Sequence, residues 1–344
     1  MPTIYQVRGY VLEEALAWML RNSGYQLIVT ASPMSGLAVN GAGLTVRGRD
    51  AEHQADVLGD FAFTPPFSLP IRMFVEAKYY GHARPVGLNL VRNAWATVAD
   101  INEFHVADGP HGRYRYVYAL FSRSGFTDDA QQFALAHQIS LVDLSLPMFG
   151  ILRRAVREAA GGAFPHVAGP GGIGALRAAF REVLETAPPS SPALAESAAV
   201  SALQGVAATM RASLESYNGG EFLLAFPPAP FILTLTGATS NSIEQFTRYS
   251  EENPEHNVHL RRDSAPESGS HQASRWLLSP AEAPAAYTLT FSLPEHVEGW
   301  ITDEADGRAN TRWLKRTLLS AIIIYRWVDG VPKVYQLRYT PQRR

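Results

Sequence analysis

The sequence predicts an α/β fold: a mixed sheet flanked by helices, followed by a helical connector and a C-terminal α+β domain. Three observations predict it. Short apolar runs alternate with helix-period segments over the first 148 residues, the pattern of strands covered by helices. Ala-rich helical stretches then follow, divided by GGAFPHVAGPGGIG and PPSSP. From Glu221 the pattern changes to strands and turns. The implied domains are 1–148, 149–219 and 220–344.

In order, a helix is expected from about Tyr10 to Ser23, with Leu12, Leu16, Met19 and Leu20 at helical spacing and Gly24 as its stop. QLIVT reads as a short strand. The next stretch, SPMSGLAVNGAGLTVRG, reads as a glycine-rich loop; its glycines match neither GxGxxG nor a Walker A pattern, so no nucleotide cradle is expected. AEHQADVLGDFAF and IRMFVEAKYY are apolar segments that can pair as a hairpin across TPPFSLP. A helix is expected from about Gly87 to Phe104, with Val91, Ala94, Trp95, Val98 and Ile101 as its packed face. YRYVYALFSRSG supplies a central strand, Thr127 caps a further helix, and ISLVDLS is another strand. FGILRRAVREAA and GALRAAFREVLETA are helical. The Ala-rich segment SPALAESAAVSALQGVAATMRASLESY reads equally as a packed connector or an oligomerisation arm. In the last part EFLLAF, PFILTLTG and YTLTFSLP are strands, LLSAIIIYRW and KVYQLRYT form a hairpin across VDGVP, and EENPEHNVHLRRDSAPESGSHQ reads as a polar loop.

Composition bounds the function without naming it. The chain has 344 residues, 46% hydrophobic and 18% charged, which is globular and long enough for two domains. It contains no Cys, so disulfides, thiolate nucleophiles and Cys-based zinc sites are excluded. With no basic leader before an apolar core and no long uncharged span, neither secretion nor membrane spanning is expected, and the chain is placed in the cytoplasm. A net charge of −2 means that any nucleic-acid surface is a local patch.

Side chains alternate along a strand, so Glu76 and Lys78 project together while Val75 and Ala77 face the other way. A hairpin would bring Asp56 to Glu76, leaving two carboxylates and an amine around a small volume. Carboxylate oxygens suit a hard ion such as Mg2+, which acts as a Lewis acid on a phosphodiester, and a neighbouring lysine can position or deprotonate water or stabilise developing charge. The competing account is a charged edge strand.

The stretches GYVLEEALAWMLRNSGY, EHQADVLG, VEAKYY and YRYVYALFSRSGFTDDAQQFALAHQISLVDLS, in that order, resemble the Mrr-type restriction endonuclease family within the PD-(D/E)xK nuclease superfamily. Its members carry a Glu on a first helix, an Asp after an HQxD-like segment and (E/Q)xK on the next strand. The resemblance covers roughly residues 8 to 146, and Glu76 is the acidic version of a position that many such proteins fill with Gln. It implies a restriction-endonuclease-like fold and a type II-like or Mrr-like endodeoxyribonuclease. Glu13, Asp56, Glu76 and Lys78 would be catalytic, Asp56 and Glu76 would hold Mg2+, and Mn2+ could substitute. The spacing to Gly24 and Tyr25 selects Glu13 over its neighbour Glu14. His53 and Gln54 match the HQ pair, and His53 serves as a base or as a structural hydrogen-bonding group.

Double-stranded DNA is the implied partner. Arg47, Arg49, Arg84 and Arg92 are candidate phosphate contacts, Tyr79, Tyr80 and His82 could line the cleft, and Ser122, Arg123 and Ser124 could meet substrate. From Thr311 to Arg344 eight basic residues stand against one acid, Asp329, with Lys315 and Arg316 as further candidate contacts. His256, His259 and His271 follow no zinc spacing. One Asp56/Glu76/Lys78 set serves one phosphodiester, so a homodimer is expected for double-strand breaks. Any ATP-dependent function would need a separate defence-system subunit, because no NTPase motif is present. The alternatives are a nuclease fold that no longer cuts and acts as a DNA-binding or regulatory module, and a structural or protein-interaction module.

Overall fold

The computed structural model describes residues 2–23, 25–31, 36–40, 43–61, 68–81, 84–103, 113–146, 149–167, 169, 172–187, 197–218, 222–229, 231–263, 275–302, 307–328 and 331–341. The chain divides into two compact units, Met1–Ala130 with Leu141–Glu215, and Gln131–Ser140 with Ser216–Arg344. Among the described residues no helix is long and apolar enough to cross a membrane.

The first unit is a five-stranded mixed sheet with helices packed against it. Helix α1 (Ile4–Asn22) starts earlier than its apolar spacing suggested, because Thr3 and Gln6 form a reciprocal capping box that satisfies the first free N–H groups. Its buried residues, from Val7 to Leu20, pack against strands β1 (Tyr25–Leu27), β5 (Val57–Phe61) and β6 (Ile71–Lys78). Sheet order is β1-β5-β6-β7-β8, with β7 at Arg115–Ser122 and β8 at Ser140–Asp143. Strands β1, β5 and β6 are antiparallel neighbours, whereas β6 and β7 run parallel from Ile71↔Arg115 to Lys78↔Ser122. A parallel pair needs a crossover, and helix α2 (Leu88–Glu103) supplies it and packs on β7. Val91, Ala94 and Ile101 form its buried face, but Trp95 is exposed, lying one position round from Ala94. Helix α3 (Asp128–His137) begins where expected, with the Thr127 hydroxyl accepting from the Ala130 N–H at 3.4 Å.

The glycine-rich loop is in fact two strands. β2 (Leu37–Asn40) and β3 (Gly43–Arg47) pair with β4 (Glu52–Ala55) in a separate three-stranded antiparallel sheet. AEHQADVLGDFAF therefore divides between two sheets, with Asp56 at the break. The small sheet is tied to α2 through Asp100. Its carboxylate accepts from the backbone of Asp50 at 2.9 Å and of Ala51 at 3.3 Å, and meets His53 Nε2 at 2.7 Å. His53 thus has the structural partner that its alternative reading required.

Helices α4 (Gly150–Ala163) and α5 (Gly172–Val183) pack on α1, with a 3-10 turn at Phe164–His166 between them. In α6 (Ala198–Asn218), Val200, Leu203, Ala207, Met210 and Leu214 recur at helical spacing and are buried. This helix spends its apolar stripe within the protein. PPSSP lies outside the described residues.

The second unit is built on a closed seven-stranded barrel of order β10-β13-β12-β11-β15-β14-β9. The strands are β9 (Phe222–Phe226), β10 (Leu233–Gly237), β11 (Glu255–Asp263), β12 (Arg275–Pro280), β13 (Leu289–Ser292), β14 (Ala321–Val328) and β15 (Val331–Tyr339). β11 corrects the expected polar loop: His256, Val258 and Leu260 alternate inward, a period-two signal hidden among polar neighbours. The hairpin β14–β15 closes as far as Val328↔Val331, tighter than the connection read from VDGVP. Three helices, α7 (Ser242–Glu252), α8 (Glu295–Thr302) and α9 (Gly307–Thr317), also interrupt what read as strands and turns. Trp276, Tyr287, Phe246, Phe291 and Tyr335 fill the core.

A Cβ on Gly48 would stand 1.9 Å from Asp100 Oδ2. Gly48→Ala must therefore displace the Asp100 carboxylate from its partners, and a loss of about 1–3 kcal/mol is expected in denaturant unfolding. Unchanged stability would show that the Asp100 clamp holds nothing in place.

Candidate functional site

Three of the predicted site residues are brought together by strand register. β5 and β6 pair Val57↔Val75 and Leu58↔Phe74, and one more step sets Asp56 opposite Glu76. Backbone contacts fix that end of the ladder: the Asp56 N–H donates to Val75 O at 3.1 Å, and Asp56 Oδ2 accepts from the Ala77 N–H at 2.7 Å. Glu76 and Lys78 share a face of β6 and form an ion pair, with side chains 25% and 23% exposed. The second Glu76 oxygen accepts from the hydroxyl of Tyr118 on β7, whose ring stacks on Phe74 at 5.0 Å.

The electrostatics are those of a charge cluster short of cations. Burial pushes the Asp56 carboxyl up to about 6; the Ala77 amide and the Lys78 ammonium pull it down, and the Glu76 carboxylate pushes it up. Burial pulls the Lys78 amine down, but Glu76 and Asp56 outweigh it and hold the amine above its ordinary value. Lys78 is therefore a cation at neutral pH and suits charge stabilisation better than proton removal. Burial drives the Tyr118 hydroxyl up, aided by Glu76, so it stays a donor.

Glu13, on α1, shares with Asp56 a cavity of about 220 Å³, which Glu14, Arg177, Arg181 and Thr186 also line, whereas Glu76 and Lys78 do not line it. The Glu13 carboxylate is bound by Arg177 of α5, and Glu14, 2% exposed, is bound by Arg181 at 3.1 Å. Burial raises the Glu14 carboxyl in spite of Arg181, and burial with the neighbouring Arg181 charge brings Arg177 down to about 10. Tyr118, Arg177 and Arg181 were not anticipated. Tyr118 follows Tyr114 and Tyr116 at strand period in YRYVYALF, and that alternation was its signal. The arginines lie at i, i+4 on α5, 164 and 167 residues from Glu13 and Glu14, a separation no local pattern bridges.

A hard divalent ion fits part of this arrangement. Among the described residues Asp56 Oδ1 accepts no hydrogen bond, and its charge is under-compensated, as the raised carboxyl indicates. Both Glu76 oxygens are already engaged, and no three His, Asp or Glu side chains among the described residues converge on one point. Mg2+ keeps several waters and needs only one or two carboxylates. Asp56 and Glu76 are the pair that would hold it.

The other candidates are dispersed. Arg47 and Arg92 are exposed, on β3 and α2. Arg49 pairs with Asp50 and Glu103 at 2.8 and 2.7 Å. Arg84 is exposed, its guanidinium 5.5 Å from the Tyr80 ring. Arg123 donates to Tyr80 O at 2.9 Å and lies over the Tyr79 ring, while Ser122 and Ser124 are buried, with Ser124 donating to Arg84 O. Lys315 and Arg316 belong to α9; Lys315 is turned into the barrel and donates to Leu260 O at 2.5 Å, and Arg316 is exposed. His256 is held by Tyr287 and Asn253, His259 by Thr340, and His82 and His271 lie outside the described residues.

No family model matches the chain, and neither does any curated protein. Among solved structures, the crystal structure of "Protein of Unknown Function AF1548" is similar at 15% identity and a TM-score of 0.33, over 61% of this chain and 99% of that one. A likeness that distant assigns no activity.

Two outcomes are expected. The folded-state Asp56 carboxyl lies above its ordinary 3.8, so the folded chain holds that proton more tightly than the unfolded chain does. The charged carboxylate therefore costs stability as pH rises from about 4 to about 6, by about 3 kcal/mol at most, and the cost persists above. Asp56→Asn keeps an acceptor for the Ala77 N–H and removes the charge. Its melting temperature should exceed wild type by a few degrees at pH 8, converging near pH 4, and equal values throughout would mean that Asp56 is well solvated. Arg177→Ala leaves Glu13, whose side chain is 12% exposed, without its cation and should cost about 3–5 kcal/mol in denaturant unfolding. A loss below 1 kcal/mol would show that the pair does not hold α5 to α1.

Proposed function

We propose that this chain is a Mg2+-dependent endonuclease that hydrolyses DNA phosphodiester bonds, with the restriction-endonuclease-like organisation implied by its resemblance to Mrr-type enzymes and a role in defence against foreign DNA. The observation that carries the reading is the register of β5 on β6, which sets Asp56 opposite Glu76 with the Lys78 cation beside both. Asp56 and Glu76 would hold the ion, which when bound would supply Lewis-acid chemistry. Lys78 stabilises negative charge on the phosphoryl oxygens, Tyr118 fixes the Glu76 carboxylate, and Ala77 orients Asp56. Glu13 enters from the cavity side. A homodimer would present one such site to each strand of a duplex.

A specific observation favours a second reading. Glu13 is bound to Arg177, and Glu76 to Lys78 and Tyr118, so the carboxylates already have partners. A nuclease-like fold that binds DNA without cutting it would also look this way.

Incubation of the purified chain with supercoiled plasmid and Mg2+, at several protein concentrations, separates the two. The nuclease reading expects cleavage that falls at least a hundredfold in Lys78→Ala and Asp56→Ala while DNA binding is largely kept, because affinity is spread over many cationic contacts. Linear product that rises cooperatively with concentration supports paired sites. DNA binding with no Mg2+- or Mn2+-dependent cutting supports the second reading, and cutting that is unchanged in Lys78→Ala removes the site assignment.

A further inference from the structure

The second unit carries a charged face that no part of the candidate active site uses. Helix α9, GRANTRWLKRT, contains four cationic residues and no acid. It is anchored by Leu314, which is fully buried, and by Lys315, whose Nζ donates to Leu260 O and lies 5.5 Å from the Trp276 ring. At 3.6 residues per turn, Arg308, Arg312 and Arg316 fall within an arc of about 80° roughly opposite Leu314, with Lys315 at the Arg308 edge of that arc and Trp313 beyond its other edge. The three arginines and Trp313 are exposed, Trp313 by 48%. Elsewhere in this unit Arg248, Arg262 and Arg338 each sit on a carboxylate, of Glu244, Glu298 and Glu255. Among the described residues no carboxylate pairs with Arg308, Arg312 or Arg316; Asp303, Glu304 and Asp306, just upstream, lie outside the described residues. Arg312 and Arg316 lie near enough to Tyr339 for their charges to act on its hydroxyl, so a second aromatic ring borders the stripe.

We propose that the outward face of α9, formed by Arg308, Arg312 and Arg316 with Trp313, binds the phosphate backbone of duplex DNA. Four residues advance a helix by about 6 Å, so the three guanidinium groups leave a row about 12 Å long. A DNA strand carries one phosphate per ~3.4 Å of helix axis, and the row therefore matches about three to four phosphates. The planar fork of arginine suits phosphate oxygens bidentately. An anionic membrane surface would attract the same charges. A helix lying in a membrane opposes its cationic side with a broad apolar one, however; on α9 the residue opposite the arginines, Leu314, is used by the barrel core, and Ala309 and Trp313 are the apolar residues left exposed. The choice of DNA as the partner rests on the nuclease reading; the surface itself does not depend on cleavage.

The test measures binding of the full chain to a short fluorescent duplex, without divalent ions, across a salt series. Wild type should bind with an affinity that falls as salt rises. R308A/R312A/R316A should flatten the slope of log affinity against log salt by up to about 2.7, or 0.9 for each lost phosphate contact, and weaken binding at least tenfold at low salt. The triple lysine variant, which keeps the charge, should retain most of the slope, so a loss caused by misfolding is told apart. Arg248→Ala, exposed but paired with Glu244, should leave the slope unchanged. A slope and affinity equal to wild type in the triple alanine variant would overturn the proposal, as would loss of binding to anionic vesicles with duplex binding intact. This assay reads binding without divalent ions and the plasmid assay reads cutting, so failure at α9 and failure of the nuclease site are read separately.

Discussion

The pairing of β5 with β6 and of β6 with β7 is the constraint on which the rest of the first unit depends. Side chains alternate along a strand with a period of two, so a slip of one residue would carry every group on β6 to the opposite face. Buried residues on both strands oppose such a slip. Val57 faces Val75 and Leu58 faces Phe74, and the eight-residue parallel run to β7 locks β6 from its other edge. The same register places two polar centres. Near the start of β6, Arg72 takes Asp60 through two hydrogen bonds of 2.6 and 3.0 Å and Tyr116 through a third. Near its end stand Glu76, Lys78 and Tyr118, with Asp56 across the ladder. One centre is neutralised by a guanidinium and is structural in character. The other has two carboxylates to one amine, and there burial, with a smaller push from Glu76, gives Asp56 its raised proton affinity.

Buried charge is unusually concentrated around α1. Glu14 and Arg177 are 2% and 5% exposed, which is tolerable only because the charges are paired across α1 and α5. The pairing makes α5 a wall of the cavity that Asp56 also lines, so the chemistry of that cavity is set by a helix far along the chain. The protein holds its candidate reactive carboxylates in a desolvated setting and stabilises some of them with its own arginines.

The barrel of the second unit solves a different problem. Closure removes free strand edges, and the inward positions of seven strands supply a continuous aromatic and aliphatic core. Some of its interior polar groups are partnered, the Trp276 indole donating to Glu298 and His256 meeting Tyr287 at 2.6 Å, whereas Ser250 Oγ and the Tyr335 hydroxyl are buried without a hydrogen bond among the described residues. Leu314 and the Lys315 amine tie α9 to the barrel, α9 also packs on α8, and Arg308, Arg312 and Arg316 are left exposed.

The sequence by itself determined the helices and strands that carry strong local periodicity, and the placement of Glu76 and Lys78 on one side of a strand. Those features follow from spacing alone. It also led to Asp56 standing across from Glu76, since two apolar runs joined by the short proline-rich TPPFSLP can pair as a hairpin. Local pattern could not reveal β2 and β3, whose glycines resemble a loop until a third strand completes their hydrogen bonds, or β11, whose inward residues alternate with polar ones. Tertiary structure alone decided that Glu13 meets Arg177, that Tyr118 bonds to Glu76, and that Lys315 points into the barrel while Arg312 and Arg316 do not. Each of these depends on which distant backbone lies within a side chain's reach, and the energy that selects them comes from desolvation and from pairing of buried charges. Neither quantity is a property of a short stretch of sequence.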